Sequence, residues 1–154
     1  MIDYKFMELA IREAKKASIY DEVPVGCVIV KDGKVVARAY NKRNRNDDVF
    51  GHAEIIAIKK ANKILKSWRL ENCDMYVTLE PCIMCAGAII QSRIRNIYFG
   101  AYDVKGGAFG STIDVSILKN LNHHPFVYGG VLKEECSELL KSYFEKKRGN
   151  NNEK

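Results

Sequence analysis

Two short segments carry residue types suited to metal chemistry: His52-Ala53-Glu54, and, some thirty positions later, Pro81-Cys82-Ile83-Met84-Cys85. Two cysteines three residues apart on a helix lie about one turn apart, with their side chains together. Thiolates held at ~2.3 Å from a tetrahedral zinc ion lie roughly 3.8 Å from each other, a separation this spacing can meet. Cys82, Cys85, Ala86 and Ile89 would share one helix face, which assigns the pair to the buried side. A helix N-terminus also favours the thiolate that a metal needs. Taken alone, the two cysteines are equally a redox pair or two buried thiols.

His52-Ala53-Glu54 shifts the balance toward metal. Residues two apart on an ideal helix point about 200° from each other, so His52 and Glu54 cannot share one regular face. The expected arrangement places His52 at the very start of a helix, reaching the metal, with Glu54 pointing inward beside it without coordinating. His52, Cys82 and Cys85 then make three ligands and leave a fourth position for water, the pattern of a catalytic rather than a structural zinc. Cys27, Cys73 and Cys136 stand singly and read as small buried hydrophobes, while His123 and His124 lie in a different context. Two thiolates blunt the acidification of a bound water; two helix N-termini aimed at the site, each near ~+0.5 charge, would partly restore it. With a carboxylate in reach to carry protons, the chemistry is hydrolytic deamination: water attacks an amidine carbon and ammonia leaves.

These residues need elements to hold them. Phe6, Leu9, Ala10, Ile11 and Ala14 repeat at helical spacing, predicting an amphipathic helix over 3–17. Apolar runs at 23–30 and 34–40 flank Asp32-Gly33, a hairpin turn pair that accepts positive φ. A polar, basic loop over 41–51 leads into a helix over 53–66, on which Glu54, Ile58, Ala61 and Leu65 share one face. A strand at 75–79 precedes a helix from Pro81, in its first turn, to about Gln91, and a strand follows at 94–100. The Gly-rich stretch 100–110 is a long loop of the kind that carries function. A short helix near 113–118, a strand at 125–128 and a C-terminal helix through Leu132, Cys136, Leu139, Leu140 and Tyr143 complete the chain, with a basic tail frayed from Lys146. Strands alternating with helices predict an α/β layered sheet whose first hairpin is antiparallel.

The 154 residues suit one domain with a core that needs no disulfide. An odd count of five cysteines, no signal-peptide pattern near the N-terminus and no apolar run of membrane-spanning length point to a cytoplasmic, reducing setting and no membrane association. Lys and Arg number 25 against 19 acids, and the net charge of +6 favours a polyanionic partner without identifying it.

At the two metal segments the chain resembles the zinc nucleobase deaminases, whose signature and mechanism are well characterised. Val23-Pro24-Val25-Gly26, Asn41, Thr78-Leu79-Glu80-Pro81-Cys82, Cys85-Ala86-Gly87-Ala88, Ser92-Arg93-Ile94 and Phe99-Gly100-Ala101 are similar to the bacterial tRNA-specific adenosine deaminases. So are Asp103-Val104-Lys105-Gly106-Gly107-Ala108, Asn122-His123 and Tyr143-Phe144, and the resemblance spans roughly residues 4–148. It implies a three-layer α/β/α sandwich on a five-stranded mixed sheet, cytidine deaminase-like. It implies a single deaminase domain over 1–148, followed by a flexible, basic and Asn-rich tail over 149–154. It implies conversion of adenosine to inosine at the wobble position, 34, of tRNA anticodons. One Zn2+ per subunit would be held by His52, Cys82 and Cys85, with Glu54 as the proton shuttle. Asn41 would hold the base, since an amide pairs bidentately with the N6/N7 edge of adenine; a turn residue closing the strand is the plainer alternative. Phe144 would stack on an RNA base, worth ~1–3 kcal/mol, or pack as core. Asn122 and His123 would grip a phosphate or ribose, or shape the turn before Pro125. Lys59, Lys63 and Lys66 form a solvated face or touch RNA. The resemblance further implies a homodimer and an anticodon stem-loop as partner.

The loop 42–51 departs from that pattern, and Gly51 stands directly before His52. Both differences bear on contacts to nucleotides flanking the target rather than on the metal. A deaminase of free guanine, cytosine or deoxycytidylate shares the same zinc site but needs no basic rim. A zinc-stabilised RNA-binding module without catalysis would have no use for Glu54 or for an open ligand position.

Overall fold

A two-residue turn sets the first register of the sheet. In the computed structural model, which describes residues 1–152 and side chains to residue 150, Asp32 and Gly33 have φ of 51° and 74°. Two positive φ values in succession are what a type I′ hairpin requires. The turn joins β1 (Gly26–Lys31) to β2 (Lys34–Tyr40) antiparallel. On its other edge β1 pairs antiparallel with β3 (Cys73–Leu79); β4 (Asn96–Ala101) and β5 (Phe126–Tyr128) then add in parallel. The order β2-β1-β3-β4-β5 makes the five-stranded mixed sheet expected from the sequence. Tyr76, Tyr98 and Tyr128 are register partners on β3, β4 and β5, and their rings stack at centroid distances of 4.6 and 5.1 Å. Cross-strand aromatic pairs of this kind pin the register.

Side chains alternate across β1, yet Cys27 to Val30 are all buried, so both faces of the strand are covered. On one face, Phe6, Met7 and Ala10 of α1 (Tyr4–Ile19) and Cys136 of α4 (Lys133–Asn152) pack with Val28, Val30, Tyr76 and Tyr98. On the other, Ala53, Ala57, Ile58 and Ala61 of α2 (Ala53–Leu65) and Ala86, Ile89 and Ile90 of α3 (Ile83–Gln91) pack with Cys27, Ile29, Met75 and Val77. Two apolar layers with the sheet between them give three structural layers. Each fully buried Val or Ile in them contributes ~1.5–3 kcal/mol. The row of alanines on α2 brings its backbone close to the sheet, which carries His52, one residue before the helix, to the end of β3.

Several boundaries differ from the expected ones. β1 begins at Gly26 rather than Val23, because Pro24 offers no N–H and the Val25 N–H turns back to the Val23 carbonyl at 2.9 Å. β3 starts two residues early, at Cys73. Pro81 stands outside α3, since Cys82 with ψ of 175° is still extended and the helix starts at Ile83. The short helix near 113–118 is a single 3-10 turn, Val115–Ile117, opened by the Asp114 carboxylate accepting the Ser116 N–H at 3.0 Å. α4 does not stop at Lys146 or at residue 149 but continues to Asn152. Its basic stretch is made of good helix formers. Lys147 pairs with Asp21 at 3.0 Å, and the Tyr143 hydroxyl donates to the Asp21 carbonyl at 3.2 Å. Residues 153 and 154 of the expected tail lie outside the described residues.

Candidate active site

His52 and Cys82 are the N-caps of α2 and α3, with no side-chain capping bond of their own. An N-cap that leaves the first N–H groups of its helix unmatched aims a partial positive charge at whatever its side chain reaches. Both side chains reach the same point, at the carboxyl end of β3 where the parallel β3–α3–β4 crossover begins. Ligands collect at such ends in open α/β sheets. His52 Nδ1 lies 3.7 Å from Cys82 Sγ and 3.5 Å from Cys85 Sγ. The ligand atoms of all three residues lie within 4.8 Å of one another. Zinc–sulfur bonds of ~2.3 Å and zinc–nitrogen bonds of ~2.0–2.1 Å in a tetrahedron put nitrogen and sulfur about 3.6 Å apart. The three residues therefore fit a zinc ion in both donor type and spacing, as the sequence predicts.

Protons are unevenly shared within this group. Hydrogen bonding from Cys85, assisted by His52, holds the Cys82 thiol down at about 4. Cys85, the donor to Cys82 and itself buried, is pushed far upward. His52 is raised, first by its bond with Cys82 and then by the Glu54 carboxylate. Cys27, Cys73 and Cys136 are buried and unpaired, which agrees with their reading as small hydrophobes.

Glu54, the second residue of α2, is 4% exposed, and burial pushes its carboxyl up to about 7. It lines the same cleft as His52 and Cys82 without belonging to the ligand triangle. The cleft, about 160 Å³ in volume, is also lined by Val23, Val25, Asn41, Arg43, Leu79, Glu80 and Asp103. A larger groove of about 710 Å³ between α1 and α4 lies elsewhere, so the ligand set rather than volume identifies the site.

Asn41 follows β2 and serves both readings at once. Its Oδ1 accepts the Arg43 N–H at 3.2 Å and its Nδ2 donates to the Val23 carbonyl at 3.3 Å, yet the side chain faces the cleft. Each end of the amide keeps one hydrogen-bonding site in reserve. Asn122, His123 and Phe144 do not line the cleft. Asn122 is exposed, and His123 Nε2 lies 2.6 Å from the Ile94 carbonyl, bracing the segment before β4. Phe144 is 44% exposed, edge-on to Tyr143.

Sequence reasoning passed over two buried carboxylates that hold the rim. Glu80, 2% exposed, accepts the N–H groups of Asp103 (3.2 Å), Phe109 (3.1 Å) and Ser111 (3.2 Å), together with the Ser111 hydroxyl. It thus fastens the Gly-rich loop over the cleft, and the backbone of Gly107 packs against it. Glu22, fully buried, accepts the N–H groups of Asn44 and Arg45, each at 2.9 Å. An acid between an apolar strand and Pro-Cys was a visible signal for Glu80. Nothing in hydrophobic periodicity marks Glu22.

Residues 1–101 match the cytidine and deoxycytidylate deaminase zinc-binding region. The chain is 45% identical over 146 residues to the tRNA-specific adenosine deaminase of Bacillus subtilis (strain 168), covering 95% of this chain and 91% of that one. It is 48% identical over 143 residues to the tRNA-specific adenosine deaminase of Agrobacterium fabrum, covering 93% and 94%. A solved structure from a study of A-to-I editing by tRNA deaminases at the wobble position of transfer RNA superposes with a TM-score of 0.87 at 47% identity, covering 90% of this chain and all of that one.

Proposed function

The chain belongs to the tRNA-specific adenosine deaminases of the cytidine and deoxycytidylate deaminase family, and from that premise we propose that it hydrolyses adenosine to inosine at the wobble position, 34, of tRNA anticodons. The observation that carries this reading is the buried Glu54 carboxylate beside the His52, Cys82 and Cys85 triangle, in a cleft at two helix N-termini. His52, Cys82 and Cys85 would hold a zinc ion, which would supply the Lewis acidity that makes water a nucleophile near neutral pH.

The protein's own groups do the rest. Asn41 presents its amide to the purine edge and fixes the base against the wall formed by Val23, Val25 and Leu79. Glu54, which stands beside the ligand triangle in α2 without belonging to it, has its carboxyl raised to about 7 by burial, where it can both take and give a proton. It accepts the proton of the attacking water and delivers protons to the base, so that the C6–N6 bond breaks and ammonia departs. Burial of the carboxylate keeps bulk water from diverting that proton.

The net charge of +6 suits a tRNA partner. Phe144, with its ring exposed, and Asn122 with His123 are the outer contacts of this reading, away from the reacting base. A homodimer is part of it as well, carried over from the family resemblance. So is a cytoplasmic setting, where the thiols of Cys82 and Cys85 stay reduced; no helix among the described residues is long and apolar enough to cross a membrane. Incubation with an anticodon stem-loop bearing adenosine at position 34, beside free adenosine, guanine and cytidine, tests the proposal. Inosine formed in the stem-loop is expected; ammonia released only from a free base would transfer the chain to the small-substrate deaminases.

A further inference from the structure

Residues 42–51 close into a ring just before the metal histidine. The Lys42 N–H donates to the Gly51 carbonyl at 2.8 Å, the Gly51 N–H to the Asp48 carbonyl at 2.9 Å, and the Asp48 N–H to the Arg43 carbonyl at 3.0 Å. Gly51 packs closely there: an added Cβ would lie 3.0 Å from the Arg43 backbone nitrogen and Cα, so that the ring would have to give by a few tenths of an ångström. The Arg43 N–H is taken by Asn41 Oδ1, and the N–H groups of the next two residues, Asn44 and Arg45, are both taken by Glu22. The backbone around Arg43 is thus fixed from three sides, on an exposed stretch of chain where loops are ordinarily free to move.

The ring carries three cations, and two have partners within the fold. Lys42 sits 4.9 Å over the Tyr40 ring, and Arg45 sits 4.1 Å over the Tyr20 ring. Arg43 makes no ion pair, side-chain hydrogen bond or aromatic contact among the described residues, and it lines the cleft beside Asn41 and His52. A fully buried carboxylate is costly to desolvate and is kept where hydrogen bonds satisfy it, as the Asn44 and Arg45 N–H groups do for Glu22. Glu22 does not reach the cleft; what it holds is the turn on which Arg43 stands.

We propose that Arg43 is the contact for a phosphodiester flanking the target nucleoside, and that Glu22 is the positioning residue that holds Arg43 at the mouth of the cleft through the 42–51 ring. This rests on the proposed RNA substrate. A phosphate is the anion that an RNA-embedded adenosine brings and free adenosine lacks, and a planar guanidinium is matched to it. The ring that departs most from the family pattern is thereby given the task of telling RNA from free nucleoside.

The test is a double-mutant cycle on the zinc-loaded enzyme, with an anticodon stem-loop bearing adenosine at position 34. Arg43→Ala is expected to raise KM about tenfold, the loss of one charge-assisted bond to phosphate, with kcat falling less than about threefold. The slope of log affinity against log salt should become shallower by roughly 0.7, which Arg43→Lys should restore. Glu22→Gln sets an amide against one of its two N–H donors and should reproduce the KM and salt-slope changes of Arg43→Ala. The double variant should be no worse than Arg43→Ala alone. Gly51→Ala, whose Cβ would crowd the Arg43 backbone, is the second perturbation of the ring and is expected to give the same readout if Glu22→Gln folds poorly. Wild-type KM and salt slope in Arg43→Ala would overturn the phosphate contact; penalties that multiply in the double variant would overturn the link to Glu22. A wild-type enzyme that forms no inosine in the stem-loop would overturn the substrate reading itself, and this inference with it.

Discussion

His52 Nδ1 and Cys82 Sγ lie 3.7 Å apart, and each belongs to the N-cap of a separate helix. Thirty residues and two strand-to-helix connections are folded so that two helix starts meet at one point. An N-cap side chain ordinarily turns back to bond its own helix. Both of these turn away, which leaves the first N–H groups of α2 and α3 directed at the same site as the imidazole and the two thiols.

Metal removal follows directly from this convergence. The purified protein is expected to carry about one zinc per chain, measured by elemental analysis. Because the ion joins α2 to α3, stripping it with a chelator should lower Tm as well as abolish activity. A ligand present at a thousandfold its Kd stabilises the native state by about 4 kcal/mol. Zinc absent from fresh protein, or a Tm indifferent to the chelator, would remove the site.

Glu54 offers a cleaner separation, between chemistry and metal binding. Glu54→Ala should lower kcat by roughly 10²–10⁴-fold, the usual worth of a positioned acid–base group. Zinc content and stem-loop affinity should stay near wild type, because the carboxylate is not among the ligands. Activity within tenfold of wild type would show that another group moves the proton.

Much of this site is legible in the sequence, because its signals are local. The 200° offset between positions two apart, an angle of roughly 100° per residue, placed His52 at a helix start and Glu54 inside, and the structure has them so. The hairpin was legible from Asp32-Gly33 for the same reason: backbone sterics act within two residues. What escaped was long-range. Glu22 meets Asn44 and Arg45 across twenty-two and twenty-three residues, and Glu80 meets Ser111 across thirty-one. No periodicity records such a contact: Glu22, next to Asp21, looks like any surface acid, and the apolar flanks that mark Glu80 do not say which distant groups it binds. The continuation of α4 to Asn152 escaped in the same way, with its tether to Asp21 lying 126 residues back from Lys147.

From sequence His123 and Phe144 each carry two readings, an RNA contact or a structural role, and the structure separates them. His123 Nε2 is 2.6 Å from the Ile94 carbonyl. His123→Ala should therefore cost about 1 kcal/mol of stability from the lost hydrogen bond. Phe144→Ala removes an exposed ring and should leave Tm nearly unchanged while weakening stem-loop binding by ~1–3 kcal/mol. Thermal melts and anisotropy titrations on both variants check this. A Phe144→Ala protein with normal affinity would return that ring to a packing role against Tyr143.

Gly107 puts the buried Glu80 carboxylate to a steric test. An added Cβ would fall against the carboxylate carbon and both of its oxygens. This is not the free end of a flexible side chain, because three N–H groups and the Ser111 hydroxyl hold it. Either the loop lifts or the carboxylate gives up donors, and overpacking of this sort costs ~1–3 kcal/mol. Gly107→Ala should lower Tm by several degrees, at about 2–4 °C per kcal/mol for a chain near this size. It should also reduce kcat/KM, since the same loop carries Asp103 into the cleft. Gly87→Ala is the matched control: on α3 a Cβ meets nothing within 4 Å, and relief of the glycine penalty should leave that variant as stable or up to about 1 kcal/mol more so. Equal Tm values for wild type and Gly107→Ala would mean that Glu80 yields without cost, and its role as the anchor of the loop would fall.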